Sequence, residues 1–306
     1  MNYEIKIENA QEAKGTIDLQ RLAVIAEGIR KISEGALQIR LRGISLTKGR
    51  KKISLKEALK VSLTGIKEGS TVLCIESEKF EKTLESYQKD IFLQETQKDL
   101  PEQTPVSLFI KSFQNAVGKE DNLDLLDKPL LKELKQFKKA LLNDNEVFVI
   151  SNQGSVPELE LKKEDFKKIK VMEEEIPEPE PIILNGIVDE LKYSKLKVRI
   201  QTEEGIVDGF LSDKLSSDEI AGFWGKEVTI TGTTYFKPGG KSVIEIERVF
   251  AVGKGDKYFS RKPKSETVEQ QIQRQIRQKR GNHLSEIVGK WPGDEDFNEL
   301  LKMLTQ

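Results

Sequence analysis

Two stretches carry the clearest strand pattern of the chain: IILNGIVDELKYSKLKVRIQTEEGIVDGFL at residues 182–211 and VTITGTTYFKPGGKSVIEIERV at residues 228–249. Apolar and polar residues alternate along both stretches, which is the period of a strand with one buried face. Turn residues interrupt this alternation, for example at the glycine pair that follows Pro238. The pattern predicts five strands, at residues 183–193, 196–202, 206–211, 228–236 and 243–249.

A short helical segment at residues 216–223 falls between the third and fourth of these strands. Five strands with a helix at that place resemble the oligonucleotide/oligosaccharide-binding fold, a partly open Greek-key barrel usually called the OB fold. The resemblance implies an OB-like barrel at residues 182–252. It implies a fold more strongly than a function, because such barrels carry many different sites.

Residues 1–171 alternate strand and helix signals, which predicts an α+β domain ahead of the barrel. Prolines at the first turn of two apolar-striped segments indicate helix starts there, and Asp18 is a suitable N-cap for an earlier helix. The predicted elements are a strand at 3–7, a helix from Asp18 to about Gly35, a hairpin of 61–66 and 71–75, helices that begin at Pro105 and Pro129, and a strand at 147–150.

Two segments have the composition of linkers. Residues 172–181 include the run EEEIPEPEP, in which alternating proline and acidic side chains favour an extended spacer. Residues 253–265 are rich in lysine, glycine and serine, which predicts a flexible connection. The remaining residues, 266–306, are predicted to form a C-terminal helix followed by an extended tail.

The composition excludes several kinds of chemistry. The chain has one cysteine, Cys74, and one histidine, His283. These are too few for a zinc site of the usual ligands, and a Cys–His nucleophilic pair could be formed only by these two residues, which lie far apart in sequence. It contains no Gly-rich phosphate loop and no Gly-x-Ser-x-Gly elbow. We therefore expect a non-enzymatic protein with no catalytic residue, no metal and no cofactor.

The charge and the apolar runs bear on location and partners. Fifty basic and fifty-one acidic side chains leave a net charge of -1, which gives no general attraction to nucleic acid or membrane. The first residues do not resemble an export signal, and no apolar run reaches the roughly 18 residues of a membrane span. We expect a cytoplasmic protein with no membrane contact; the sequence does not indicate its oligomeric state.

Local clusters nevertheless suggest weak contact with nucleic acid, DNA or RNA. Six basic residues lie close together, and aromatic residues of the barrel alternate with basic ones, as in sites that stack bases over a cationic groove. A solvated loop and ordinary core packing explain the same residues without a ligand. The basic cluster consists of Arg40, Arg42, Lys48, Arg50, Lys51 and Lys52, and the barrel set of Tyr193, Phe210, Tyr235 and Phe236 with Lys195, Lys197, Arg199, Lys237 and Lys241.

The end of the chain has the most specific pattern. Trp291 and Pro292 precede three acidic residues at a predicted helix start, where negative charge suits the helix dipole. An apolar face at i, i+3, i+4 and i+7 follows, and so short a helix needs a surface on which to dock. That surface belongs either to the protein itself or to a partner, for which the contact residues would be Lys290, Trp291, Pro292, Gly293, Asp294, Glu295, Phe297, Leu300, Leu301 and Leu304.

Residues 289–301, GKWPGDEDFNELL, resemble the C-terminal tail of bacterial antitoxins that are encoded beside PIN-domain ribonuclease toxins. The resemblance implies a toxin–antitoxin system in which the tail wraps and inhibits a PIN-domain ribonuclease, with Lys290 approaching the metal-binding carboxylates of the toxin. In that family a small DNA-binding domain precedes the tail, whereas here a large α+β region and a barrel precede it. The alternative is a nucleic-acid-binding protein that uses the barrel and the cluster from Arg40 to Lys52.

Overall fold

The computed structural model describes residues 1–10, 12–13, 15–45, 53–67, 71–84, 99–118, 122–152, 159–192, 197–212 and 215–277. The chain divides into two compact units, Met1–Ser265 and Glu266–Gln306. The first unit contains an α+β domain and a closed barrel. The mixed α+β fold class predicted from the sequence is confirmed.

The α+β domain is built on a five-stranded antiparallel sheet with the order β2-β3-β1-β4-β5. Alternate residues of the first strand, Tyr3, Ile5 and Ile7, are buried, as the period-two pattern predicts. The predicted hairpin is confirmed as the pair β2–β3. The strands are β1 (Asn2–Glu8), β2 (Val61–Lys67), β3 (Thr71–Ser77), β4 (Val147–Asn152) and β5 (Leu159–Leu161).

Helices cover the face of this sheet that carries Tyr3, Ile5 and Ile7. The helices predicted to begin near Pro105 and Pro129 are confirmed, and Thr104 and Asp127 cap them through their side-chain oxygens. Phe109, Phe113 and other rings form edge-to-face contacts in the shared core. The helices are α1 (Leu19–Arg42), α2 (Ile53–Ala58), α3 (Phe80–Thr83), α4 (Pro105–Ala116), α5 (Lys128–Gln136) and α6 (Asp165–Glu175).

The first helix is longer than the sequence predicted. It does not end near Gly35 but continues to Arg42, and Gly43 ends it with a left-handed φ of 90°. Gly35 lies inside the helix, at a point where α5 packs closely against it. A Cβ at that position would be 3.1 Å from Leu130 Cδ1, so the missing side chain permits the close approach. The extension places Arg40 and Arg42 in the last turn of α1 rather than in a loop.

The second half of the first unit is a closed five-stranded barrel with the order β10-β8-β7-β6-β9, in which β9 also pairs with β10. Strands β8 and β10 are parallel and the other pairs are antiparallel, an arrangement compatible with an OB-like barrel. All five predicted strands and the intervening helix are confirmed. They are β6 (Glu180–Lys192), β7 (Lys197–Thr202), β8 (Gly205–Leu211), α7 (Ser217–Ala221), β9 (Glu227–Phe236) and β10 (Ser242–Ala251).

The acidic segment at residues 172–181 is more structured than the predicted spacer. Its first residues belong to α6, and its last two begin β6. Between them Ile176 is buried in the core of the α+β domain, and its carbonyl accepts a hydrogen bond of 2.6 Å from Lys128 Nζ. Glu178 pairs with Lys128 and Lys132. Proline removes backbone donors, but the carbonyls and carboxylates that remain anchor the segment.

Residues 253–265 also differ from the predicted flexible linker. A 3₁₀ turn at Asp256–Phe259 packs against β6. Asp256 Oδ2 accepts hydrogen bonds from Gly253 N and Thr229 Oγ1, both at 2.7 Å, and Ser260 is buried. These contacts hold the segment, which we call the strap (residues 253–265), against the outside of the barrel.

The described part of the second unit is residues 266–277, which include helix α8 (Val268–Arg277). Thr267 precedes it and accepts a hydrogen bond from Gln270 N, while Gln270 Oε1 accepts one from Thr267 N, which satisfies two donors at the helix start. Within the described residues of the chain, no helix is long and apolar enough to cross a membrane.

Candidate binding surfaces

The predicted partner-binding residues of the tail, from Lys290 to Leu304, lie outside the described residues. What the structure describes is the helix that leads to them. Val268, Ile272 and Ile276 follow one another at four-residue spacing on α8, and they are 67%, 49% and 64% exposed. An apolar stripe of this kind on a polar helix is a surface that gains from being covered.

The predicted basic cluster is only partly described. Lys48, Arg50, Lys51 and Lys52 lie outside the described residues. Arg40 is buried, and its Nη2 atom lies 4.0 Å from Asp99 Oδ2. A side chain that packs inside the domain cannot reach a phosphate on a docked strand, so the structure removes Arg40 from a cationic surface. Arg42 in the same turn is half-buried.

The described aromatic residues of the barrel set pack inside the molecule. Ordinary core packing therefore explains their alternation with basic residues. Phe210 and Tyr235 form an apolar cluster with Ile44 and Val243, at the point where the end of α1 meets the barrel. Phe236 joins the core of the α+β domain. A base can stack only on an exposed ring, so these side chains do not form a stacking platform. Tyr193 lies outside the described residues.

Polar contacts reinforce this junction between α+β domain and barrel, which we call the domain seam. Lys237 is buried, and its Nζ atom donates to the carbonyl of Asp124 at 2.6 Å. Lys241 Nζ contacts both carboxylate oxygens of Asp124, at 2.8 and 2.7 Å. Burial lowers the pKa of Lys237, although Asp127 and Asp124 oppose the shift. The β9–β10 turn is therefore fixed to the α+β domain.

Asp127 is the second buried charged residue at the domain seam. Its Oδ1 atom accepts hydrogen bonds from Ser45 Oγ at 2.6 Å and Leu130 N at 2.9 Å, and its Oδ2 atom accepts one from Ser45 N at 2.7 Å. Burial raises the pKa of this carboxyl, and the hydrogen bonds act in the opposite direction. Asp127 thus caps α5 and also ties residues after α1 to that helix.

Two concave regions adjoin these elements. A cleft of about 300 Å³ follows the domain seam, but its charged lining is internally paired, with Lys241 on Asp124 and Lys197 Nζ 3.7 Å from Asp208. An apolar groove of about 450 Å³ lies between α1 and the β2 edge of the sheet. Leu22, Ile29 and Leu63 are among its lining residues. Neither region brings together groups with evident catalytic chemistry.

The strap is the surface that the sequence analysis missed. Its lysine, glycine and serine content predicts a linker, yet residues 254–264, KGDKYFSRKPK, combine five basic residues with two aromatic ones. Tyr258 is 84% exposed, and its ring meets the ring of Phe259 edge-on at 5.6 Å. The alternation of basic and aromatic residues is the signal that could have identified it.

Among the described residues, no group of three or more His, Cys, Asp or Glu side chains could hold a metal ion. Cys74 is a free, half-buried thiol. Comparisons of the chain with protein-family models, curated proteins and solved structures found no match.

Proposed function

We propose that this protein is a non-enzymatic, antitoxin-like binding protein whose C-terminal tail wraps and inhibits a PIN-domain ribonuclease. The observation that carries the proposal is the sequence of residues 289–301, in which Trp291 precedes Gly293, three acids and an apolar helical face. Large aromatic residues beside a rigid turn are typical anchors of protein interfaces.

Helix α8 supports a partner-binding role for the second unit. Its stripe of Val268, Ile272 and Ile276 is exposed, and in sequence it directly precedes the tail. Covering one such side chain fully stabilises a complex by roughly 1.5 to 3 kcal/mol. A partner that binds the tail could therefore gain further stability by extending along α8, as in helix-in-groove recognition.

The proposed mechanism is occlusion. Trp291 and the face formed by Phe297, Leu300, Leu301 and Leu304 would fill apolar grooves of the ribonuclease. Lys290 would approach the carboxylates that bind the catalytic cation and compete with it by charge. This mechanism needs no catalytic group of this chain.

The proposal is tested with the product of the adjacent reading frame, where we expect a small protein of about 130 residues with spaced acidic residues. The full chain should co-purify with it and inhibit its ribonuclease activity. Deletion of residues 282–306 should abolish both effects without changing the melting of the remaining chain, since the tail is proposed to dock on the partner.

Trp291→Ala should weaken the complex by about 2 kcal/mol or more, the usual loss at an aromatic hot spot, measured by calorimetric titration. The matched control is Trp224→Ala, because Trp224 is the second tryptophan of the chain and is 68% exposed on the barrel. Equal affinity of the Trp291 variant and the original protein would contradict the proposal. So would a fall in the melting temperature on tail deletion, which would indicate internal docking.

The alternative function, nucleic-acid binding by the barrel aromatics and the cluster from Arg40 to Lys52, is not favoured by the described residues. Arg40, Phe210 and Tyr235 are buried, and a ligand would have to displace the packing of the domain seam to reach them.

A further inference from the structure

We propose that the strap is a binding surface for single-stranded nucleic acid. This surface lies on the outside of the barrel, away from the aromatic residues that the domain seam buries. The inference does not depend on the tail, and it uses residues that the proposed function leaves without a role.

The strap has a fixed backbone, which a specific surface requires. Asp256 joins Gly253 to Thr229 of β9, and the amide of Lys262 donates to Glu204 Oε2 at 2.9 Å. Both ends of the segment are thus tied to the barrel, and the 3₁₀ turn between them packs on β6. A ligand would meet a backbone that is already ordered, so less backbone entropy is lost on binding.

The strap carries a local excess of positive charge. Its five basic residues and single acid give a net charge of +4, since 5 - 1 = 4, whereas the whole chain has -1, which leaves -5 for the remaining residues. The acid, Asp256, is occupied by its two hydrogen bonds, which hold its pKa below the ordinary value. In the described part of the chain, no ion pair engages the side chains of Lys254, Lys257, Arg261 or Lys264.

An exposed ring lies in the middle of these charges. Tyr258 follows Lys257 directly, and its 84% exposure leaves the ring open to solvent, while Phe259 supports it from the edge. Lys254 and Lys264 are four and six residues away from Tyr258, hence within about 14 and 21 Å even for a fully extended chain. One short strand can therefore contact the ring and several of the cations together.

This combination fits single-stranded nucleic acid better than the other anionic partners. A single strand presents a line of phosphates and flat bases, and it is bound by cationic grooves with aromatic platforms. Attachment to a membrane surface uses the same positive charge but gains most of its further strength from apolar side chains that insert. The strap offers Tyr258 and the half-buried Phe259, and it contains no exposed aliphatic side chain.

The test is fluorescence anisotropy of the full chain with a fluorescein-labelled oligouridine of about 20 nucleotides, longer than a single site of roughly 4 to 16 nucleotides. Titrations between about 50 and 200 mM salt should give an affinity that falls steeply with salt. The variant K254E/K257E/R261E should bind at least about tenfold more weakly, and its log–log salt slope should be smaller by about 2, at about 0.7 for each lost phosphate contact.

Tyr258→Ala should weaken binding by about fivefold or more through the loss of stacking, with little change in salt slope, and Tyr258→Phe should restore it. The matched charge control is K138E/K139E/K168E, which reverses three exposed lysines of the α+β domain and should leave binding nearly unchanged. Deletion of residues 282–306 should also leave it unchanged, which separates this inference from the proposed function.

Several outcomes would overturn the proposal. The first is that the full chain does not bind the oligonucleotide. The second is that the charge control K138E/K139E/K168E loses as much affinity as the strap variant. The third is that K48E/R50E/K51E weakens binding while K254E/K257E/R261E does not. Binding to phosphatidylserine vesicles with no binding to the oligonucleotide would assign the strap to a membrane surface instead. Every altered strap side chain is exposed, so each variant should fold. Melting curves of all variants check this.

Discussion

At the residue scale, Gly232 is the clearest point at which the barrel requires one amino acid. It pairs with Ile246 in β10 and with Ile182 in β6, next to a register shift between Ile246 and Arg248. A Cβ on this glycine would lie 2.0 Å from the carbonyl oxygen of Glu245. These are backbone atoms of β10, so a side chain cannot be accommodated without displacing that strand.

Gly232→Ala should therefore destabilise the protein by about 3 kcal/mol or more, as expected for overpacking against rigid neighbours. Urea unfolding followed by circular dichroism measures the change. Gly65→Ala is the matched control, because Gly65 also lies in a strand but no atom lies within 4 Å of its Cβ position, so its effect should stay within about 1 kcal/mol. Similar losses for the two variants would contradict this account of Gly232.

At the element scale, the strap belongs to the barrel rather than to a linker. Asp256 bonds to Thr229 in β9, and Glu180 and Pro181 pair with Thr234 and Thr233 of the same strand. The barrel consequently extends beyond residues 182–252 at both ends. Independent folding of the barrel remains a prediction, and these contacts indicate which fragment should fold best.

A fragment of residues 180–260 should melt at a higher temperature than one of residues 182–252. The extra residues restore the first two pairs of β6 and the packing of the 3₁₀ turn on that strand. If these contacts contribute about 1 kcal/mol, the expected gain is about 4 to 8 °C for a domain of this size. Asp256→Ala in the longer fragment should remove part of the gain. Equal melting temperatures for the two fragments would show that residues 180–181 and 253–260 add nothing to the stability of the barrel.

At the scale of the whole molecule, the domain seam joins the α+β domain to the barrel through buried apolar and polar contacts. Ile44 after α1 packs on Phe210 and Tyr235 of the barrel, and Lys237 of the barrel reaches Asp124. Buried Asp127 lies beside this contact, and the nearby charge of Lys237 partly offsets the effect of burial on its pKa.

The buried carboxyl of Asp127 should make stability depend on pH. Because its pKa is raised above 3.8 in the folded protein, the folded state holds the proton more tightly than the unfolded state does. Stability from the protonated form is present below the unfolded pKa and is lost as pH rises through the folded pKa. The free energy of unfolding, taken relative to Asp127→Asn, should therefore fall as pH increases from about 3.8.

Urea unfolding of the two proteins at a series of pH values measures this difference directly. A difference that increases with pH would show that the three hydrogen bonds to the carboxylate outweigh its burial. The same series tests the tie that Asp127 makes within the α+β domain, between Ser45 after α1 and the start of α5.

Elements whose signals are local could be predicted from the sequence alone. The barrel strands, the β2–β3 hairpin and the starts of α4 and α5 follow from alternation, turn residues and capping within a few positions, and the structure has them where these signals predict. The tail motif was equally visible, and its function remains a proposal. Local patterns suffice here because alternation, turn residues and capping residues lie within a few positions of one another and indicate each element before its partners are known.

Features that depend on contacts between residues far apart in the chain became visible only in the folded structure. Gly35 continues a helix because Leu130 packs against it, and Phe210 is buried because Ile44 covers it. Asp256 fixes the strap because Thr229 lies within reach. The local sequence contains no information about these distant partners. From the sequence alone, Gly35 is therefore predicted to end a helix, Phe210 to be available for base stacking and the strap to be a flexible linker. Burial and long-range pairing contribute to the free energy only in the folded chain, and they determine which of the alternative conformations each residue adopts.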